Sequence, residues 1–263
     1  MNEITHKSLR RFNLIMGTVH FFQAVLMLML SLTWENIREF RPQIVSNFLT
    51  FNPDLGESGA LVTETTNLFT LPFGILVSLF LFLSAFAHFT ISVPNKTNAI
   101  YNEDLDKGVN QFRWYEYALS SSLMIVLIAT LFGVFDIGAL ILIFVVNATM
   151  NLFGLLMEKI NEKKEDVSWL PFIYGTIAGL APWIVIVLYA FGNSDPAEVP
   201  WFVYAIVGSY FVFFNLFPIN MILQYKRVGK WRNYLYGERG YIILSLAAKT
   251  VLAWLVLFGV MQP

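Results

Sequence analysis

The chain of 263 residues contains no cysteine. That excludes a disulfide framework, a thiolate nucleophile and a thiolate metal site. Charge is also scarce: 13% of residues are charged and 57% are hydrophobic, whereas a soluble domain carries about 25% charged residues. So few polar groups cannot cover a globular surface, and much of the exterior must face lipid. No repeat at a solenoid period and no low-complexity stretch interrupts the chain, so one helical domain accounts for all of it. Paired acids, a metal-ligand cluster and a buried serine–histidine motif are missing too, which argues against an enzyme. Nothing in the pattern calls for a nucleic-acid partner. The net charge of −1 excludes nothing, because in a membrane protein the placement of charge matters more than its sum.

What the chain does have is long apolar runs. A helix needs roughly 20 mainly apolar residues to cross a bilayer, and seven segments qualify: 12–32, 67–92, 113–134, 137–157, 169–192, 201–224 and 241–261. Pro72, Pro171, Pro182 and Pro218 fall in or beside them, as membrane helices tolerate when neighbours satisfy the freed backbone groups. The first run follows His6-Lys7-Ser8-Leu9-Arg10-Arg11 and so resembles a signal peptide. It is too long for one and lacks a small-residue cleavage site, so it is expected to stay as the first helix.

Lysine and arginine orient the seven spans. One side holds Lys7, Arg10, Arg11, Lys96, Lys107, Arg113, Lys159, Lys163, Lys164, Lys226, Arg227, Lys230, Arg232 and Arg239, and the other only Arg38 and Arg41. This asymmetry puts the N-terminus in the cytoplasm and the C-terminal Met261-Gln262-Pro263 outside, in a multi-pass protein of the cell membrane. The outer connection 33–66 carries Glu35, Glu39, Asp54, Glu57 and Glu64. It reads either as a solvated acidic loop or as a small folded cap that also touches a neighbouring subunit.

The seventeenth basic residue is Lys249, inside the seventh span, and Glu116 lies inside the third. A mid-membrane charge costs about 2.5–3.5 kcal/mol even on a lenient scale, so one base and one acid there form a natural pair. Asp136 lies in the outer turn and Glu158 at an inner helix end, and neither reads as deeply placed. Glu116 and Lys249 differ in depth by roughly 6 Å at a rise of about 1.5 Å per residue, and the lysine leans toward its helix N-terminus, toward Glu116. An interhelical salt bridge is the plain reading. Yet apolar replacement of buried pairs is often neutral or stabilising, whereas a dry lysine beside an acid can form a Schiff base with an aldehyde. Ser245 lies one turn before Lys249 and Ser120 one turn after Glu116, each able to bond the pair or merely its own helix. His20 and His88, at similar depth, suggest a polar cavity that takes and returns a proton. Among the aromatics, Trp114, Trp169 and Trp201 sit at span ends like interfacial anchors. Tyr117, Trp183 and Trp254 are better placed to line a ligand.

Two runs resemble a known family. Arg113-Trp114-Tyr115-Glu116-Tyr117-Ala118-Leu119-Ser120-Ser121-Ser122-Leu123-Met124-Ile125 resembles the counterion helix of heliorhodopsins, and Leu244-Ser245-Leu246-Ala247-Ala248-Lys249-Thr250-Val251-Leu252-Ala253-Trp254 resembles their retinal-binding helix. Asn147, Met150 and Glu158 fall where that family has polar and pocket residues. The resemblance implies an all-α membrane protein, a seven-helix bundle with a small outer β-hairpin within 33–66 used in dimerisation. It implies all-trans retinal on Lys249, Glu116 as sole carboxylate counterion, and Ser245 near the imine. It also implies His20, His88 and Trp114 around a cytoplasmic-side cavity, with Asn147, Met150 and Tyr117 touching the chromophore. The expected activity is a slow light-driven cycle that signals without net ion pumping, through a cytoplasmic partner docked on loops such as 158–166 or 225–239. Two alternatives stay open: light-driven proton transport by the same fold, and a proton-coupled transporter that uses Lys249 and Glu116 as a gate.

Overall fold

The computed structural model describes residues 4–56, 58–162, 164–192 and 201–261. Glu57, Lys163 and the terminal Gln262-Pro263 lie outside the described residues. The elements in order are α1 (His6–Thr33), α2 (Glu35–Glu39), β1 (Gln43–Asn52), β2 (Ala60–Thr70), α3 (Phe73–Ser92), α4 (Asn95–Asp106), α5 (Gln111–Leu131), α6 (Ile137–Ile160), α7 (Leu170–Phe191), α8 (Trp201–Tyr225) and α9 (Tyr234–Met261). Seven of the described helices are long and apolar enough to cross a membrane: α1, α3, α5, α6, α7, α8 and α9. In sequence order α1 packs on α3, α3 on α5, α5 on α6 and α6 on α7, while α8 packs on α9 and α9 returns to α1 and α3. α5 is the most enclosed of the seven, with a continuous core of Ile125, Leu127, Ile128 and Ala129 against Val77, Leu81 and Leu252.

The connection after α1 is folded. β1 and β2 form an antiparallel hairpin, bulged between Ile44 and Val45. Val45 N–H donates to the Phe135 carbonyl at 3.0 Å, which seats the hairpin base on the turn between α5 and α6. That turn closes with Gly133 at φ 92°, a left-handed conformation natural only to glycine. Asp136 then caps α6, its Oδ1 accepting from Ala139 N–H at 3.0 Å.

Several boundaries differ from the hydropathy reading. The second span starts at Phe73 rather than 67, because Asn67, Phe69 and Thr70 pair with β1 and Pro72 stands at the N-cap of α3. α1, α5 and α9 begin before their apolar runs. Thr5 and Ser8 form a reciprocal capping box that starts α1, and α9 begins seven residues ahead of 241. α4 was not foreseen; it buries Asn98, Tyr101 and Leu105, a helical spacing in which only two residues are apolar. The early starts of α5 and α9 carry charged side chains inward, with consequences for the site.

Candidate functional site

Three helices bring the central pair together. Lys249 on α9 is buried, and its Nζ donates to Glu116 Oε1 on α5 at 2.5 Å. It donates also to Ser84 Oγ on α3, and Ser84 Oγ in turn donates to the same Glu116 oxygen at 2.6 Å. The ammonium lies 5.3 Å from the centre of the Tyr117 ring, within cation–π range. Ser84 had a signal in the sequence, since it stands one turn before His88 on the same helix face. The hydroxyls expected from the sequence were Ser120 and Ser245, each able to bond the pair or only its own helix; both are buried beside the pair.

A cavity of about 350 Å³ opens beside Lys249, its walls mostly apolar. Tyr117, Asn147, Met150, Trp114 and Ser245 line it, as do Phe172 and Gly175 of α7 and Phe213, Phe214 and Phe217 of α8. Asn147 Nδ2 donates to Ser121 Oγ at 2.9 Å and Ser122 Oγ at 3.0 Å, so its own polarity is largely satisfied by α5. Gly179 makes room for Met150; a Cβ there would lie 2.5 Å from the thioether sulfur. The α8 phenylalanines were invisible as pocket residues in the sequence, because aromatics in a span serve lipid equally well. Trp254 does not line the cavity. Five residues past Lys249 it is turned roughly 140° around the helix at about 100° per residue, and it packs on Phe258 instead. Trp183 stands behind the wall, stacked on Tyr210 at 4.7 Å.

A second, polar cavity of about 40 Å³ lies on the N-terminal side of the pair, lined by Ser84, His88, Glu116, Asn13, Arg113, Glu238 and Ser245. His88 Nδ1 is 2.8 Å from Asn13 Oδ1. Its ring stacks on that of His20 at 5.6 Å, and both His20 nitrogens are buried without a partner among the described residues.

The expectation of one buried base and one buried acid needs correction. Arg113, read as a loop cation, is buried and bonds both Glu158 and Glu238. Glu158 stands near the end of α6, as the sequence indicates, but is 2% exposed there, and Glu238, unremarked in the sequence, is equally buried. The physical reason is the early start of α5 and α9, which carries residues 113 and 238 into the packed bundle. Trp114 is likewise no belt residue; its Nε1 donates to Glu158 Oε2 at 2.6 Å. Trp201 remains exposed and Trp169 half-buried against Tyr225. From outside the spans, Tyr101 on α4 donates to Glu238 Oε1 at 3.1 Å. Burial, and then the Glu238 charge, push its phenol well above the usual range, so it stays protonated and remains a donor.

Seven apolar helices around a buried lysine–carboxylate pair and an apolar cavity coincide with a family-wide match: the model described as Heliorhodopsin covers residues 9–261. The chain belongs to the heliorhodopsin family. Comparison with individual curated proteins gives no significant match. Heliorhodopsin membership makes this a retinal-binding, light-sensing protein of the rhodopsin kind, and the seven helices make it a multi-pass membrane protein. The residues fit a retinal chromophore: the larger cavity lies within the usual range for ligand sites, about 300–1,000 Å³, and Lys249 borders it.

Proposed function

We propose that this heliorhodopsin is a slow-cycling light sensor that holds all-trans retinal on Lys249 and drives no net ion transport. The observation that carries the reading is the buried Lys249–Glu116 pair, 2.5 Å apart, on the wall of an apolar cavity of about 350 Å³. Condensed with the lysine amine, retinal would supply visible absorption and a double bond that light isomerises. Glu116 balances the positive charge at Lys249 Nζ, the role of a ligand counter-ion among intramembrane charges. Ser84 fixes the carboxylate by its hydrogen bond. Tyr117, Met150, Phe214 and Phe217 line the cavity and would hold the chromophore away from water.

The proton released from Lys249 Nζ rests, in this reading, at the His20–His88 pair and later returns. Support comes from the stacked rings and from the unpartnered nitrogens of His20, a site able to accept a proton. A vectorial pump needs acceptor and donor groups staged on both sides of the lysine. Among the described residues the buried carboxylates Glu116, Glu158 and Glu238 all stand on the N-terminal side, which favours sensing over pumping. We further infer that this side faces the cytoplasm, on the lysine and arginine asymmetry. The exposed Phe48, Leu49, Phe51 and Leu61 of the hairpin suit a homodimer contact, and the charged loops 158–166 and 225–239 suit a signalling partner.

Addition of all-trans retinal to the expressed protein is expected to give a coloured pigment, and Lys249→Ala to lose the colour. Glu116→Gln should shift the absorption maximum or make the colour fade at lower pH, because the positive nitrogen loses its partner. A colourless wild type would defeat the reading. A sustained directional photocurrent would replace the sensor with a proton transporter.

A further inference from the structure

Arg113, Glu158 and Glu238 form a buried cluster of one cation and two carboxylates, every side chain at most 4% exposed. With both acids ionised it would carry one uncompensated negative charge, and desolvation makes such a charge expensive inside a protein. Binding one proton is the least costly relief.

Hydrogen bonding decides which acid takes it. Glu158 accepts from four donors: Asn110 N–H at 2.9 Å, Trp114 Nε1 at 2.6 Å, Tyr234 OH at 3.1 Å and the Arg113 guanidinium. Glu238 accepts from three: Arg113, Asn110 Nδ2 at 2.8 Å and Tyr101 OH at 3.1 Å. Glu238 thus has the fewer donors to balance a negative charge, and the proton is placed there; each acid keeps one tyrosine hydroxyl, Tyr234 on Glu158 and Tyr101 on Glu238.

Glu238 is linked to the central pair by two routes. It lines the same small polar cavity as Glu116, Ser84 and His88, whose 40 Å³ gives space for about two waters. A chain of side chains runs beside it: Glu238 to Tyr101, Tyr101 to Asn13 Nδ2 at 3.3 Å, and Asn13 Oδ1 to His88 at 2.8 Å. The charged and titratable groups around Glu238 are Tyr101 from α4, Arg113, Glu116 and Tyr117 from α5, Glu158 from α6, His88 from α3, and Tyr234 and Tyr241 on its own helix, the Tyr241 ring lying 4.0 Å under the guanidinium.

We propose that Glu238 holds a proton at neutral pH and exchanges it, through the polar cavity, with the Lys249–Glu116 pair. The transfer moves a proton only: Glu238 becomes a carboxylate paired with Arg113 as the Glu116 carboxylate of the pair takes the proton up. The exchange rests on the light-sensor reading above, whereas the resting proton does not.

Infrared spectroscopy of the retinal-free protein in lipid tests the resting proton. At neutral pH a protonated-carboxyl C=O band is expected, lost in Glu238→Gln. Tyr101→Phe should shift that band, because it removes a hydrogen bond from Glu238 alone. Tyr234→Phe, which removes a hydroxyl that bonds Glu158 and not Glu238, should leave it in place. These two phenylalanine variants remain informative if Glu238→Gln does not fold. No such band, or one that follows Tyr234→Phe and not Tyr101→Phe, would overturn the assignment. In the retinal-loaded protein illumination should change this band, and a band that ignores light would overturn the exchange. A colourless protein that keeps the resting band would sink the retinal reading and leave the proton on Glu238.

Discussion

Gly154 on α6 faces the indole of Trp114 so closely that a Cβ would lie 2.3 Å from the ring. The missing side chain is what lets Trp114 lie flat between helices and reach Glu158. Gly154→Val should therefore push the ring aside, cost about 1–3 kcal/mol by overpacking, and break the Trp114–Glu158 bond. Thermal unfolding in detergent together with tryptophan fluorescence would show it; an unchanged melting point and emission would mean that α6 simply moves outward. Legibility at this scale followed contrast. Lys249 stood out because its helix is otherwise apolar for residues on either side. Arg113 and Glu238 did not, because each sits among polar neighbours of the kind that loops contain. Burial turns on the packing of α5 against α9 and α6, which local sequence does not encode.

Helix and strand starts were written in side-chain chemistry more than in hydropathy. α6 owes its start to Asp136, whose carboxylate caps the Ala139 N–H while its backbone pairs with Val45 of the hairpin. Asp136→Ala is expected to destabilise the protein by about 0.5–2 kcal/mol, and Asp136→Asn to recover most of that, measured as shifts in thermal unfolding. Equal losses from both would point to charge rather than capping. The hairpin's strand pairing pulled residues 67–70 out of the second span, since Asn67, Phe69 and Thr70 pair across to β1 before the apolar helix begins. α4 stayed hidden because its buried positions are an asparagine, a tyrosine and a leucine, too mixed to show a period. Yet α4 supplies Tyr101, the contact that reaches Glu238.

At the scale of the molecule, the hairpin and the α5–α6 turn lie together at one end, and α4, the α6–α7 connection and the α8–α9 connection lie at the other. The absence of cysteine gives a clean test of which end is outside. Asp54→Cys at the hairpin tip should react with a membrane-impermeant thiol reagent on intact cells, and Lys226→Cys only after lysis. The reverse pattern would invert the proposed orientation. The solvent, the number of spans and the one conspicuous base are legible from composition and from runs of about 20 residues. Tertiary packing settles which acids are buried together, that Ser84 of α3 joins the pair, and that Trp114 is buried while Trp254 turns away. These depend on helix rotation and on contacts between residues 32 to 165 positions apart, and no local pattern carries that information.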